Sequence, residues 1–351
     1  MANINDGDNI PANIPQDIPP HGKLEEGITE DLLFDAIRKS GYPFQAEVSN
    51  KIASELNKMS LSFNIQEEWV YVDGDSNSPR SLDIFAEIAL PSGEDDLNEK
   101  GSRPTRIRPF INLLIECKQS SLPYVFFLRD SATTSKVRYP EMVGLPHKNL
   151  RIFGAPEEYS EGFSFCMPIH DLLGSYELIS CNIPAPFAVS FAKAVRKGAK
   201  LELTGEETYR SITLPPMKAA DYLKGQYSLN PKHKFFSLRF LVCIAVVRAP
   251  MIGTYLHEGR SILVSMPWVR TGRMGPAAPE DNFGANTLRY FDIVHDYLST
   301  YLDVILKDLR ELARRAVSIS DPLADGHAIT VGRGDPPISL FKNYPRIGKN
   351  I

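Results

Sequence analysis

Phe110-Ile-Asn-Leu-Leu-Ile-Glu-Cys-Lys-Gln119 is the stretch that decides how this chain is read. The run is short and mostly apolar, which predicts a strand. Side chains on a strand alternate between faces. Ile111, Leu113, Ile115 and Cys117 therefore share one apolar face, while Glu116 and Lys118 stand together on the other. A carboxylate and an ammonium at the end of an apolar strand are costly to bury unless they are paired or bind something.

Just upstream, Ser81 to Leu90 predicts a second strand. Leu82, Ile84, Ala86, Ile88 and Leu90 fall on one parity and Asp83 on the other. Two neighbouring strands would then present Asp83, Glu116 and Lys118 to one site. Paired carboxylates suit a hard divalent cation, usually Mg²⁺. A lysine beside them can orient or deprotonate water and stabilise charge on a phosphate. The competing reading is a Glu116–Lys118 salt bridge on a solvated sheet face.

An aspartate, a strand hairpin and then Glu-x-Lys resembles the PD-(D/E)XK nuclease superfamily, the restriction-endonuclease-like fold. Asp83 supplies the first half of the motif and Glu116-Cys117-Lys118 the second. Gln119 directly after the lysine is similar to the resolvase-like and Mrr-like branches. Glu47 matches the glutamate of an upstream helix. The proline that often precedes the first aspartate is replaced by Leu82. Gly41-Tyr42-Pro43-Phe44 and Pro123-Tyr124-Val125-Phe126-Phe127 resemble a bacterial subgroup with this core, so the resemblance spans about residues 41 to 130. It implies a metal-dependent nuclease acting on nucleic acid, DNA before RNA, in bacterial defence or DNA processing. Asp83, Glu116 and the Cys117 carbonyl would hold Mg²⁺ or Mn²⁺. Glu47 would hold a second metal or a metal-bound water. Lys118 would orient the attacking water, and Gln119 would steady the phosphate or Lys118. The alternative is a module on the same fold that binds nucleic acid or protein without cutting.

The 351 residues allow one large domain or two smaller ones. A hydrophobic content of 43% and a charged content of 23% are those of an ordinary globular protein. A formal net charge of −4 gives no global basic field, so a nucleic-acid partner needs a local basic surface. Cys117, Cys166, Cys181 and Cys243 are widely spaced in apolar runs, which predicts buried free thiols and a reducing cytoplasm. The polar N-terminus does not read as a signal peptide. The longest apolar run, Phe240 to Val247, is far short of the ~20 residues a membrane span needs.

Along the chain, Thr29 to Ser40 predicts a helix with Thr29 as N-cap and Gly41 as its stop. A second helix starts at Pro43 and carries the stripe Phe44, Val48, Ile52 and Leu56. Phe63 to Val72 predicts a strand, and Asp73 to Pro79 a turn. Pro91 to Pro109 predicts a long loop whose Arg103, Arg106 and Arg108 could touch phosphates. Tyr124 to Leu128, Gly162 to Cys166, Phe235 to Val247 and Ser261 to Val269 predict strands, with a helical turn near Asp171 to Leu178. Phe187 to Lys197 predicts a helix, with Lys193, Arg196 and Lys197 as the clearest compact basic patch. A long helix is expected from Asn286 to about Ala316. Its stripe is Phe291, Val294, Leu298, Tyr301, Ile305, Leu309 and Leu312, a face that packs on its own sheet or serves a homodimer.

The expectation is an α/β protein. A restriction-endonuclease-like core with a central mixed sheet flanked by helices spans 28–185. An α/β extension over 186–320 ends in the long helix. Residues 1–25 and 321–351 are expected to be tails.

Overall fold

The computed structural model describes residues 27–90, 107–129, 139–144, 149–153, 164–175, 186–227, 236–257, 259–275, 287–295, 298–318 and 328–331. Two helices open the described chain, α1 (Glu30–Ser40) and α2 (Tyr42–Lys58). Their boundaries are written locally. The Thr29 hydroxyl accepts the Leu32 N–H at 3.2 Å, and Gly41 takes a φ of +92° between the two helices. Phe44, Val48, Ile52 and Leu56 of α2 are all buried, as their spacing predicts.

Three long strands follow, β1 (Ser62–Asp73), β2 (Ser78–Ala89) and β3 (Ile107–Gln119). After them come β4 (Tyr124–Arg129), β5 (Glu141–Val143), β6 (Asn149–Phe153), β7 (Ser164–Pro168) and the short α3 (Ile169–Leu172). Next are β8 (Phe187–Lys197), β9 (Lys200–Thr204), α4 (Glu206–Ile212) and α5 (Leu214–Gln226). The remainder comprises β10 (Phe236–Arg248), β11 (Met251–His257), β12 (Arg260–Ser265), β13 (Trp268–Gly275), β14 (Thr287–His295), α6 (Leu298–Ser318) and β15 (Ala328–Val331).

One large mixed sheet runs in the order β1-β2-β3-β10-β14-β13-β8-β4-β11-β12, with β5 added to β10 and β9 to β8. A smaller sheet has the order β15-β6-β7. β2 is antiparallel to β1 and β3, whereas β10 lies parallel to β3 along the whole of both strands. The β3–β10 pair then turns a corner without separating. The Ser120 N–H reaches the Arg248 carbonyl at 3.0 Å and the Tyr124 N–H reaches the Pro250 carbonyl at 2.9 Å. Beyond that, β4 and β11 continue as a parallel pair. The path from β10 through β14, β13 and β8 therefore returns to the same two chain segments. Strong coiling of this kind is one way a large sheet limits its open edges.

Helices cover both faces. On one, α2 and α6 pack over Ile84, Ala86 and Ile88 of β2, Ile111, Leu113 and Ile115 of β3, and Phe240, Val242 and Ile244 of β10. On the other, Ala219, Ala220 and Leu223 of α5 meet Tyr71, Phe85, Leu114 and Cys243. Each large apolar side chain buried this way contributes about 1.5–3 kcal/mol.

The middle of the chain departs from expectation. Phe187 to Lys197 is a strand, not a helix. The β4–β8 register shifts between Phe127 and Leu128, so Val189 and Ser190 are both exposed. That irregularity breaks the period-2 pattern and leaves Phe187, Phe191 and Val195 at helical spacing. The long helix begins only at Leu298, because 287–295 is β14. Tyr290, Phe291, Asp292, Ile293 and Val294 are consecutively buried, the mark of a central strand rather than an amphipathic helix. Phe291 and Val294 fall in phase with the α6 stripe by coincidence. The rest of that stripe, Leu298 to Leu312, is buried within the chain. Ser261 to Val269 is divided between β12 and β13. Two further helices occupy 206–226. Pro215 and Pro216 in the first turn of α5 look like breakers in sequence but are tolerated there.

Arg108 lies in β3 rather than in a loop, and Arg103 and Arg106 lie outside the described residues. The expected tails also lie mostly outside them, although Ala328–Val331 pairs with β6. Cys117 and Cys243 are buried free thiols and Cys166 is an exposed one, against expectation. Cys181 is outside the described residues. Among the described residues, no helix is long and apolar enough to cross a membrane.

Candidate active site

The β1–β2 ladder pairs Glu67 with Ile84 and then Trp69 with Leu82. The step that would pair Glu68 with Asp83 is missing, and Glu68 has a φ of +49°. A non-glycine residue in that region is uncommon and strained. Facing is reset at this step. Ile84 packs in the cluster under α2 and α6, whereas Leu82, of the same parity, packs under α5 beside Tyr71 and Phe85. The simple alternation expected for Ser81 to Leu90 therefore fails at Asp83.

On the other side of β2, the ladder to β3 ends at Ile84 opposite Ile115. Asp83 and Glu116 occupy the next step, where the strands part. Asp83 Oδ2 accepts the Cys117 main-chain N–H at 2.6 Å. Gln45 of α2, only 5% exposed, donates from Nε2 to the Asp83 carbonyl at 2.8 Å. Asp83 is thus held twice, its carboxylate by the β3 main chain and its carbonyl by the Gln45 side chain of α2. Glu116 is 6% exposed, and its Oε1 accepts from Lys118 Nζ at 2.6 Å.

The electrostatics follow from this crowding. Burial, then the Asp83 charge, pushes the Glu116 carboxyl up to about 7 against the pull of Lys118. Burial also raises Asp83, with Glu68 adding to it, while the Cys117 N–H and Lys118 work the other way. For Lys118, burial favours the neutral amine, but Glu116 and Asp83 outweigh it and the ammonium is held more firmly than usual.

Of the residues expected at the site, Asp83, Glu116 and Lys118 come together, with the Cys117 backbone beside them. Glu47 does not join them in any contact described. It is exposed on α2 and ion-paired with Arg248, whose guanidinium lies over the Phe44 ring at 4.3 Å. Gln119 turns to the opposite face of β3 and donates to the Arg38 carbonyl of α1 at 2.8 Å. The helix residue at the site is Gln45, two positions before Glu47. Its spacing to Ser49, Ile52 and Leu56, all buried, is the signal that places it on the inner face. Glu68 carried no such signal, because its placement depends on the broken ladder step.

Comparison with protein-family models, with curated proteins and with solved structures found no match.

Among the described residues, no three His, Cys, Asp or Glu side chains form a ready-made cation cage. Asp83 and Glu116 are nevertheless the residues there that could hold one hard cation, because burial raises both carboxyls and added positive charge would favour their ionised forms.

Proposed function

We propose that this chain is a metal-dependent nuclease that hydrolyses phosphodiester bonds, built on a restriction-endonuclease-like core. The observation that carries the reading is the meeting of Asp83, Glu116 and Lys118 where β2 and β3 part. Support for the core comes from the order of elements: a helix, a hairpin bearing Asp83, and a strand ending in Glu116-Cys117-Lys118, with helices on both sheet faces.

Asp83 and Glu116 would hold Mg²⁺ or Mn²⁺, whose chemistry is to polarise a phosphate oxygen and offset charge on the leaving group. The protein supplies the rest. Gln45 and the Cys117 N–H fix the direction of Asp83. Lys118 stays protonated while Glu116 is charged, so its Nζ acts as a donor that orients water or a phosphate oxygen rather than as a base. Water would attack phosphorus in line with the departing oxygen, breaking the P–O bond to that oxygen and giving up its own proton to solvent.

A second reading is a nucleic-acid- or protein-binding module on this fold. The Glu47–Arg248 ion pair favours it, since the helix carboxylate expected at the site is engaged elsewhere. The test is purified protein with Mg²⁺ or Mn²⁺ on single- and double-stranded DNA and RNA. Cleavage that disappears in Lys118→Ala is the expected result. If the wild-type chain cuts none of the four, the binding module takes its place.

A further inference from the structure

The basic patch predicted on a helix lies instead on a hairpin, and its place in the sheet gives it a use. β8 pairs with β4 as far as Lys193 opposite Tyr124, and the Ala194 N–H makes one more bond, to the Pro123 carbonyl at 2.9 Å. Past that point the described partner of β8 is β9 alone, from Lys193 opposite Thr204 to Lys197 opposite Lys200. The two strands stand off the sheet as a ribbon, turned at Gly198, whose φ of +61° suits a glycine.

A bare two-stranded ribbon is marginal in water, and this one has little to bury. Every residue from Arg196 to Leu203 is exposed, including Leu201 at 60% and Leu203 at 51%. Cross-strand partners share a face. Ala194, Arg196, Leu201 and Leu203 therefore form one face, and Lys193, Val195, Lys197, Lys200 and Glu202 the other. Four basic side chains stand against one acidic one, Glu202, which pairs with Lys197 at 3.2 Å. Beyond the ribbon, Glu206 and Glu207 occupy the first turn of α4. In a chain of net charge −4, this is a local positive projection.

The ribbon also begins close to the site. Pro123 is five residues beyond Lys118, at most roughly 18 Å of chain. We propose that the β8–β9 ribbon grips duplex DNA beside the Asp83/Glu116/Lys118 site, with Arg196, Lys197 and Lys200 on phosphates. This rests on the nuclease reading and names its substrate class. A B-form major groove, about 12 Å wide, admits a two-stranded ribbon, whereas the deep, narrow groove of A-form RNA does not.

The test is fluorescence anisotropy in EDTA across a salt series, with short duplex DNA, single-stranded DNA and duplex RNA as probes. The wild-type chain is compared with Arg196→Ala/Lys197→Ala/Lys200→Ala. The expected result is a wild-type preference for duplex DNA, weakened at least tenfold in the triple variant. The slope of log affinity against log salt should flatten by about 2–3. Should the triple variant fail to fold, Lys200→Gln alone should flatten it by about 1. Unchanged affinity and slope, or a preference for either other probe, overturns the ribbon. The two proposals fail separately. Ribbon-dependent binding of duplex DNA without metal-dependent cutting sinks the nuclease and leaves the ribbon. Cutting with undiminished duplex affinity in the triple variant does the reverse.

Discussion

Asp83 Oδ2 accepts the Cys117 main-chain N–H at 2.6 Å, one step past the point where the β2–β3 ladder ends. A side chain takes over where main-chain pairing stops, so the same bond holds the strand split together and aims the carboxylate. Structure and chemistry at this position can be separated by substitution.

Asp83→Asn keeps an oxygen for the Cys117 N–H and removes the charge. The fold should survive with a loss of about 1 kcal/mol or less, since one hydrogen bond to a charged acceptor becomes one to a neutral acceptor. Metal-dependent cleavage should fall at least ~100-fold, because a neutral amide is a poor ligand for Mg²⁺. Thermal melts and a cleavage time course check the two halves. A variant that melts normally and cuts at the wild-type rate removes Asp83 from the site.

Gln45 and Glu47 sit two residues apart on α2 and should behave oppositely. Gln45→Ala leaves the Asp83 carbonyl without its helix donor, at a cost of about 1–3 kcal/mol, and loosens the carboxylate. Glu47→Ala removes an exposed ion pair with Arg248, worth at most about 1 kcal/mol. Cleavage should drop markedly in the first and stay within about threefold in the second, since the lost pair is only a surface contact. Equal losses in both would restore Glu47 to the site.

That contrast shows where sequence stops being informative. Thr29, Gly41 and the α2 stripe act through neighbours three and four residues away, so their roles can be read directly. The Glu116/Lys118 pairing is legible for the same reason, since parity along one strand is local. Glu68, Asp83 and Leu82 depend on a missing rung between two strands, which no period reveals. β14 and α6 meet in phase, so one stripe fitted a strand and a helix at once. The place of β10 between β3 and β14 is a long-range pairing with no local trace.

Leu309 is fully buried in α6, within the stripe whose sequence pattern favours packing on its own sheet and leaves a homodimer open. Leu309→Ala should therefore destabilise the isolated chain by about 2–5 kcal/mol through the cavity it leaves. Denaturant melts at several protein concentrations give the measurement. A midpoint that moves with concentration, and moves less in the variant, would mean that the stripe serves an assembly instead.

The last prediction concerns pH. The Glu116 carboxyl ordinarily titrates near 4.5 and is pushed up to about 7 in the folded chain, first by burial and then by Asp83. Between those values the folded chain holds a proton that the unfolded chain has lost, so stability falls as pH rises. The contribution is fully present below about pH 4.5 and gone above about pH 7. Asp83 shifts in the same direction, whereas Lys118, raised above 10.5, keeps its contribution throughout this range. The Glu116 effect is on the order of 3 kcal/mol. Carboxylates shifted the other way, such as Glu141 and Glu311, titrate well below this window in the folded chain. The wild-type chain should therefore lose stability relative to Glu116→Gln between pH 4.5 and 8, read as diverging melting temperatures. At pH 8, Mg²⁺ should return about 2–3 kcal/mol to the wild type at a hundredfold excess over its Kd, and nearly nothing to the variant. Parallel melts across that range would show that Glu116 is charged at no cost, and the crowded pair would lose its claim to a cation.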